Sequence, residues 1–197
     1  NPILRVLENE IMIERARLKK AEAGIERMQK SADTLVIIDN NRLLEYAPNL
    51  QIEKAFELAD EITSRAISGI SQTITQPSLM NIDYADVKAV VSNGGVSMIA
   101  VGEGKGVDRV DNVVENTLKN RLLDVDYEGS KGVLLHLKGG TDLTLGDANK
   151  AGELLTQSAD PNANVIYGAR LEPGYEGKLE AIAIFTGLQS QYILGKR

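Results

Sequence analysis

The stretch "QPSLMNIDYADVKAVVSNGGVSMIAVG", residues 76–102, contains the change of pattern that decides the fold. It opens with a proline-led loop, continues as a predicted short helix, and reaches two glycines at 94 and 95 that are typical of a helix end. The run "VSMIAVG" (96–102) is apolar and predicts a strand. The chain therefore changes here from a mostly helical part to a part in which strands and helices alternate.

The part before this stretch is predicted to hold two long helices and one strand. Residues 3–30 and 51–74 both place apolar side chains at helical spacing, and the second helix has about twice the average length. Between them, "TLVIID" (34–39) is a short apolar run of the kind that lies buried in a parallel sheet. This part offers the run no second strand, so we expect its partner strands to lie upstream of Asn1.

The part after the stretch predicts a layered α/β unit of about 110 residues. Thr144 is the expected N-cap of its second helix, and the turn-rich "EPGYEG" (172–177) predicts a hairpin between its last two strands. The predicted fold class is α/β (α+β): a four-stranded sheet with two helices beside the long central helix, plus a strand and helices left from another domain. The strands are expected in "VSMIAVG", "GVLLHLKGG", "ANVIYGARL" and "KLEAIAIFTGL", and the helices in "GVDRVDNVVENTLKNRLL" and "TLGDANKAGELLTQSA".

The composition excludes several classes of function. The chain has no cysteine and one histidine, so thiolate and histidine-rich metal sites are excluded. The histidine, His136, is predicted to be a packed or half-exposed strand residue. A net charge of -6 with 4% aromatic residues argues against a nucleic-acid partner. No apolar run approaches the roughly 20 residues that cross a bilayer, so no membrane insertion is expected and a cytoplasmic location is predicted.

The glycine-rich "GEGKG" (102–106) is the one segment that suggests a phosphate-binding loop. Its spacing matches neither the dinucleotide pattern nor the Walker pattern, so a flexible turn is the preferred prediction. A dinucleotide oxidoreductase built on this segment stays a minor alternative.

The loop and helix start at residues 81–86 form the first candidate site. Asp83 and Asp86 lie three residues apart and share a helix face, with Asn81 just ahead of them. Acids at a helix start stabilise it by about 0.3–1 kcal/mol each, which accounts for one of them. Two carboxylates and an amide in one place also suit a cation or a polarised water. The residues alone leave both interpretations open.

The long helix carries a second candidate site, because Phe56 and Asp60 share a face. A carboxylate can accept two adjacent N–H donors of a guanine edge while an aromatic ring covers the base. A core phenylalanine beside a solvated acid is the more common arrangement.

Four segments form a recognisable order along the chain: "IDNNRLLEY", "AFELAD", "ISGISQTITQPSLMNIDYADVKAVVSNGG" and "NRLLDVDYEGSKGVLLHLKGGTDLTL". Together they resemble FtsZ, the tubulin-related cell-division GTPase of bacteria and archaea. The resemblance covers about residues 15–190, and "NIDYADVK" (81–88) matches the family's synergy-loop pattern NxDxxD. The family's glycine signature GGGTGTG is absent from this sequence, so the chain is similar to the C-terminal half of FtsZ with the end of a Rossmann-like GTPase domain.

This resemblance implies a GTPase that works as a head-to-tail homopolymer with sites shared between subunits. Asn81, Asp83 and Asp86 match the synergy loop, where the acids would polarise the water that attacks the GTP of the neighbour and Asn81 would hold the loop. Mg²⁺ near Asp83 and Asp86 is the implied metal, held indirectly, and K⁺ is a further candidate there.

The resemblance also implies a guanine-nucleotide face for GTP or GDP. Asn40, Phe56 and Asp60 match base-recognition positions, and Arg17 matches a nucleotide-contacting arginine. Ile13 replaces an expected glutamate, with Glu14 beside it. Residues 1–12 depart from the family pattern.

The implied organisation has four parts: residues 1–50 as a remnant of the nucleotide-binding domain, 51–76 as the linking helix, 77–191 as a GTPase-activating domain and 192–197 as a tail. Alone, the chain is expected neither to bind GTP well nor to hydrolyse it. Membrane-tether and division proteins are further implied partners. The alternative is a stand-alone α/β interaction module without a catalytic role.

Overall fold

One mixed sheet joins the two parts of the chain. The structure is a computed structural model that describes residues 2–39, 42, 45, 49, 52–92, 94–122 and 125–188, without the side chains of 2–15, 52, 53, 55 and 73. Its elements in chain order are α1 (Pro2–Gln29), β1 (Thr34–Ile37), α2 (Ile52–Thr75), α3 (Tyr84–Val91), β2 (Gly95–Lys105), α4 (Arg109–Lys119), β3 (Gly132–Gly139), α5 (Leu145–Thr156), β4 (Asn164–Leu171) and β5 (Lys178–Thr186).

Strand β1 belongs to the same sheet as the four later strands, in the order β1-β2-β5-β3-β4. It runs parallel to β2, with Thr34 opposite Gly95. The prediction that this run has no partner within the chain is therefore wrong, as is the count of four strands. A parallel partner is reached only through a long crossover, here α2 and α3, so it lies far away in sequence.

The connection "EPGYEG" joins β4 to β5 but does not form a hairpin. Strand β3 lies between them, parallel to β4 and antiparallel to β5, so the hairpin prediction is wrong. The turn itself is present, since Gly174 and Gly177 both have positive φ. The residues of the turn decide where the chain reverses its direction. They do not decide the pairing of β5, which lies between β2 and β3 because these two strands cover both of its edges.

The glycines of "GEGKG" extend β2 rather than form a flexible turn. The strand continues to Lys105, and only Gly106 takes a positive φ of 79°. A Cβ at Gly104 would lie 1.9 Å from the carbonyl oxygen of Arg109, and one at Gly102 would lie 2.4 Å from the nitrogen of Thr117. These glycines therefore let α4 pack directly against the backbone of β2, and the prediction of a turn holds only for residue 106.

The sheet separates two apolar layers because alternate residues of each strand point to opposite faces. On one face, α4 and α5 cover Met98, Leu135 and Phe185. On the other face, Ile62 and Ala66 of α2 and Val90 of α3 cover a second set of strand residues, which comprises Ile99, Val101, Leu134, Ile182 and Ile184. The predicted cap is confirmed, since Thr144 and Asp147 form a capping box at the start of α5.

Helix α2 runs for 24 residues, as predicted, and fits closely onto its face of the sheet. His136 of β3 is 3% exposed, so the structure has the packed one of the two predicted states, packed or half-exposed. A Cβ at Gly69 of α2 would lie 2.5 Å from the Cδ2 atom of His136, so the histidine ring fills the space that the glycine leaves open. Arg65 of α2 also contacts the buried Glu180 of β5, at 3.2 Å.

Candidate functional site

The loop between α2 and α3 is held against the end of β4. Gln76, just after α2, still donates its N–H to the carbonyl of Gln72, at 2.8 Å. Four residues further, Met80 and Ala169 exchange two backbone hydrogen bonds of 3.1 Å each. Ile82 is only 2% exposed and fixes the end of the loop in the apolar layer beneath α2. The loop therefore has a defined path between its two helices.

The three predicted residues of this loop lie together on its exposed side. The N–H of Ser78 donates to Oδ1 of Asn81 at 3.0 Å, which closes the turn that leads to the acids. Asp83 is the N-cap of α3, and its Oδ1 accepts the N–H of Asp86 at 2.8 Å. The helix-start role that the sequence suggested for one of the acids is thus present. Asn81, Asp83 and Asp86 are all exposed.

The environment of Asp86 favours its protonated form more than water does. Partial desolvation raises the pKa of Asp86, and the hydrogen-bonding and charge of the adjacent Asp83 carboxylate raise it further. A carboxylate whose pKa moves upward is a better acceptor for a proton near neutral pH. The backbone N–H of the same region acts in the opposite direction and lowers the pKa of Asp86.

The donor set of the loop fits a cation only in part. Across the described residues, no group of three or more histidine, cysteine, aspartate or glutamate side chains could hold a metal ion. Asp83 and Asp86 supply carboxylate oxygens alone, and one of those oxygens already caps α3. Such a pair suits Mg²⁺ when phosphate oxygens and water complete the octahedral shell, because Mg²⁺ dehydrates reluctantly.

The predicted base-recognition residues lie on other parts of the molecule. Phe56 is 51% exposed and Asp60 is also exposed, one helical turn later on α2. The core position that is more common for phenylalanine is therefore not the one found. Arg17 lies exposed on α1, and Asn40 falls outside the described residues.

Phe56 and Asp60 lie in the N-terminal half of α2, and the acids lie beyond its C-terminal end. At 1.5 Å per residue, the helix axis from Phe56 to Thr75 is roughly 30 Å long, and the acid-bearing loop follows its C-terminal end. A single GTP cannot reach both Phe56 and the acids in one copy of this chain. If both sets act on one nucleotide, they come from two copies.

Sequence reasoning missed the strand residues that hold the loop. Ala169 contacts Met80 through the backbone, and Arg170 donates to the side-chain oxygen of Gln76 at 2.7 Å. Both contacts join residues that are about 90 positions apart in the sequence. At that separation, the spacing of residues along the chain does not indicate which of them are in contact. A basic residue near the end of a predicted strand was the only available sign.

Comparison with known proteins places the chain in a family. Residues 95–189 match the sequence profile of the FtsZ family, C-terminal domain. The chain is 55% identical to Cell division protein FtsZ 2 of Methanocaldococcus jannaschii over 98% of its own length and 52% of that protein. It is 47% identical to Cell division protein FtsZ 2 of Haloferax volcanii over 93% of its length and 46% of that protein. The chain thus spans about half the length of the relatives that it matches.

Solved structures give the same result for the fold. An empty FtsZ dimer of M. jannaschii superimposes with a TM-score of 0.83 at 40% identity, over 91% of this chain and 53% of that one. CetZ1 from Haloferax volcanii, in a GDP-bound monomer, superimposes with a TM-score of 0.61 at 17% identity over 82% of this chain and 48% of that one, which supports the fold alone. The chain belongs to the FtsZ family of cell-division proteins, and its residues 95–189 match the C-terminal domain of that family.

Proposed function

We propose that this chain is the part of a filament-forming, FtsZ-like GTPase that activates GTP hydrolysis in the neighbouring subunit. Asn81, Asp83 and Asp86 are the catalytic residues of this proposal, and Phe56, Asp60, Asn40 and Arg17 contribute to a guanine-nucleotide site on the opposite face. The homologues support membership of a tubulin-like GTPase family. The partner is a second copy of the same protein, in the head-to-tail order that a heterologous interface allows.

The separation of the two sets along α2 carries this proposal. The loop at one end of the helix carries exposed acids, and the N-terminal half of the helix carries an exposed ring and acid. This arrangement suits contact with two different nucleotides. Head-to-tail stacking would bring the loop of one copy to the nucleotide of the next. The solved FtsZ dimer of M. jannaschii supports self-association in the family.

Each residue of the loop has a defined task in this mechanism. Asn81 holds the turn through the N–H of Ser78, and the cap bond of Asp83 fixes the direction of its carboxylate. Asp83 and Asp86 then orient the attacking water, which is most of what phosphoryl transfer asks of a protein. When bound, Mg²⁺ would neutralise phosphate charge beside the two carboxylates.

The domain division follows from the same proposal. Residues 77–191 act as the activating domain, 51–76 as the linking helix and 1–50 as a contribution to the nucleotide-binding domain, with 192–197 as a tail. Strand β1 of the first part nevertheless pairs with the sheet of the activating part. Within the described residues, no helix has both the length and the apolar character that a bilayer span requires. We propose a cytoplasmic location and tether proteins as further partners.

One observation favours the alternative, an α/β interaction module without catalysis. The side chain of Asp83 is already used as a helix cap, so the acids could serve only the stability of α3. Asparagine caps a helix about as well as aspartate does, so a change from Asp83 to asparagine removes the charge and keeps the cap.

The deciding experiment uses a chimera in which this chain replaces the matching part of the M. jannaschii FtsZ 2. The parent chimera is expected to polymerise with GTP and to hydrolyse it. We expect Asp83→Asn with Asp86→Asn to lower kcat by about 100-fold or more, because the water loses both carboxylates, while polymer is still formed. GTP turnover and sedimentation of polymer are measured on the same samples.

The matched control is Asp108→Asn, which removes one carboxylate at the N-cap of α4, where no side-chain cap bond is present. It is expected to leave kcat unchanged. Parental turnover in the Asp83→Asn/Asp86→Asn chimera would contradict the catalytic role and favour the interaction module. Micromolar GTP affinity of the isolated chain would contradict the proposed division of labour.

A further inference from the structure

The contact between Arg170 and Gln76 joins the acid-bearing loop to the sheet at the point where α2 ends. Nη1 of Arg170 donates to Oε1 of Gln76 at 2.7 Å. The side chain of Arg170 is only 18% exposed, so it has few alternative positions. The next strand residue towards the N-terminus, Ala169, makes the backbone pair with Met80. Two consecutive residues of β4 thus hold two points of one loop.

Helix α2 lacks a cation of its own where this contact occurs. Its last turn contains no basic residue. The C-terminal end of a helix carries partial negative charge, which a nearby cation stabilises within the last turn. Arg170 supplies that cation from the sheet, beside Gln76, which accepts the bond from Arg170 and extends the helix by its own N–H.

The neighbours of Arg170 keep it directed at the loop. Its Nε lies 3.4 Å from Oε2 of Glu172, which directly follows the last residue of β4. Lys138, its partner across β3 and β4, is engaged elsewhere, since its Nζ lies 3.6 Å from Oε1 of the buried Glu180 and 4.2 Å from the ring centre of Tyr175. Arg170 is therefore the cation that this part of the sheet offers to the loop.

We infer that Arg170 is a positioning residue for hydrolysis, which fixes the start of the loop that carries Asn81, Asp83 and Asp86. This inference rests on the proposed function. Arg170 does not touch the reacting atoms. It acts through Gln76, because an acid that must orient a water molecule loses rate when its loop moves by a fraction of an ångström to an ångström.

The test uses the same chimera, with GTP affinity, polymer yield and kcat measured separately. Arg170→Ala is expected to lower kcat about tenfold, with GTP affinity and polymer yield unchanged. Arg170→Lys is expected to keep most of the rate, since the cation at the helix end remains. Gln76→Ala, at an exposed position that does not support the core, is expected to match Arg170→Ala, and the double variant to be no slower than either one.

The control is Lys131→Ala, which removes an equal charge from an exposed ion pair with Asp160, next to the first residue of β3. It is expected to leave kcat unchanged. Hydrogen exchange at the Met80 amide is expected to become faster in Arg170→Ala and not in Lys131→Ala. A general loss of stability would instead accelerate exchange throughout the sheet.

The outcomes separate this inference from the proposed function. Parental kcat in both Arg170→Ala and Gln76→Ala, with an inactive Asp83→Asn/Asp86→Asn chimera, overturns the positioning role alone. Parental kcat in the Asp83→Asn/Asp86→Asn chimera overturns the proposed function and this inference with it. Additive losses in the double variant show that the two residues act independently, which also contradicts the inference.

Discussion

His136 of β3 is only 3% exposed and packs against α2. Its surroundings disfavour the positively charged form of the imidazole. Burial lowers its pKa from 6.5 to about 4, and the positive charges of Lys138 and Arg170 act in the same direction. The imidazole is therefore neutral in the folded protein at neutral pH. The unfolded chain, in contrast, binds a proton on this side chain once the pH falls below about 6.5.

We expect the free energy of unfolding to decrease as the pH falls from about 6.5 to about 4, because only the unfolded state gains the proton in that range. The loss from this group amounts to about 3 kcal/mol at the acid end. Chemical denaturation of the isolated chain at a series of pH values measures it. In His136→Gln the slope over this range is expected to be much smaller. An unchanged slope would assign it to other groups.

Acidic groups whose pKa is lowered in the folded protein change their contribution to stability at a lower pH than His136 does, so the two effects can be separated. The hydrogen bond from Arg109 lowers the pKa of Asp142 below 3.8. Its contribution is present above that value and is lost only as the pH falls further. Arg109 also contacts Asp147 at 2.9 Å, which connects α4 to the start of α5.

At the scale of elements, the packing of α2 against the sheet depends on one glycine. A Cβ at Gly69 would lie 2.5 Å from Cδ2 and 2.6 Å from Nε2 of the buried His136 ring. Neither the helix nor the ring can move far without disturbing the apolar layer around Ile62 and Ala66. One added methyl group at this position would therefore displace the whole helix.

We expect Gly69→Ala to lower the free energy of unfolding by about 1–3 kcal/mol, the usual effect of an added methyl in a packed interface. Gly24→Ala is the matched control, because no atom lies within 4 Å of a Cβ at that position of α1. The control is expected to be neutral or stabilising by up to about 1 kcal/mol through helix propensity. Urea denaturation compares the two. Equal effects at both positions would refute the steric argument.

The elements themselves could be predicted from sequence far better than their pairing. The periodicity of residues 51–74 predicted α2 to within one residue, and Thr144 was identified as a cap because its hydrogen bond is local. The partner of β1 and the place of β5 could not be found in this way. Both depend on which strand edges remain open after the whole chain has folded.

The candidate site was predictable to a similar degree. The motif at Asn81, Asp83 and Asp86 contains its own short-range hydrogen bonds, so spacing alone indicated a structured helix start. The exposure of Phe56 could not be read from a periodic helix, where apolar residues usually face the core. Arg170 and Ala169 act across the fold, and the sequence offered no sign of them beyond a basic residue near the end of a predicted strand.

At the scale of the whole molecule, a site shared between copies predicts complementation between two inactive variants. One chimera carries Asp83→Asn with Asp86→Asn, and the other carries Asp60→Ala on the nucleotide face. In a random 1:1 mixture, about a quarter of head-to-tail contacts join an intact loop to an intact nucleotide face. We expect the mixture to hydrolyse GTP at about that fraction of the parental rate.

Each variant alone, at the same total concentration, is the control and is expected to stay slow. The rate is followed by phosphate release. A mixture no faster than the average of the two separate variants would show that the loop and the nucleotide face of one copy act together. That result would contradict a shared site even if both sets of residues are needed.

The parallel pairing of β1 with β2 has a consequence for synthesis on the ribosome. Thr34 leaves the exit tunnel long before Gly95, its partner in the ladder, has been translated. During that interval the apolar Leu35, Val36 and Ile37 have no β2 edge to bind. The nascent polypeptide is thus most prone to premature association while α2 is emerging, and chaperone occupancy should be highest in that window and should end once β2 is complete.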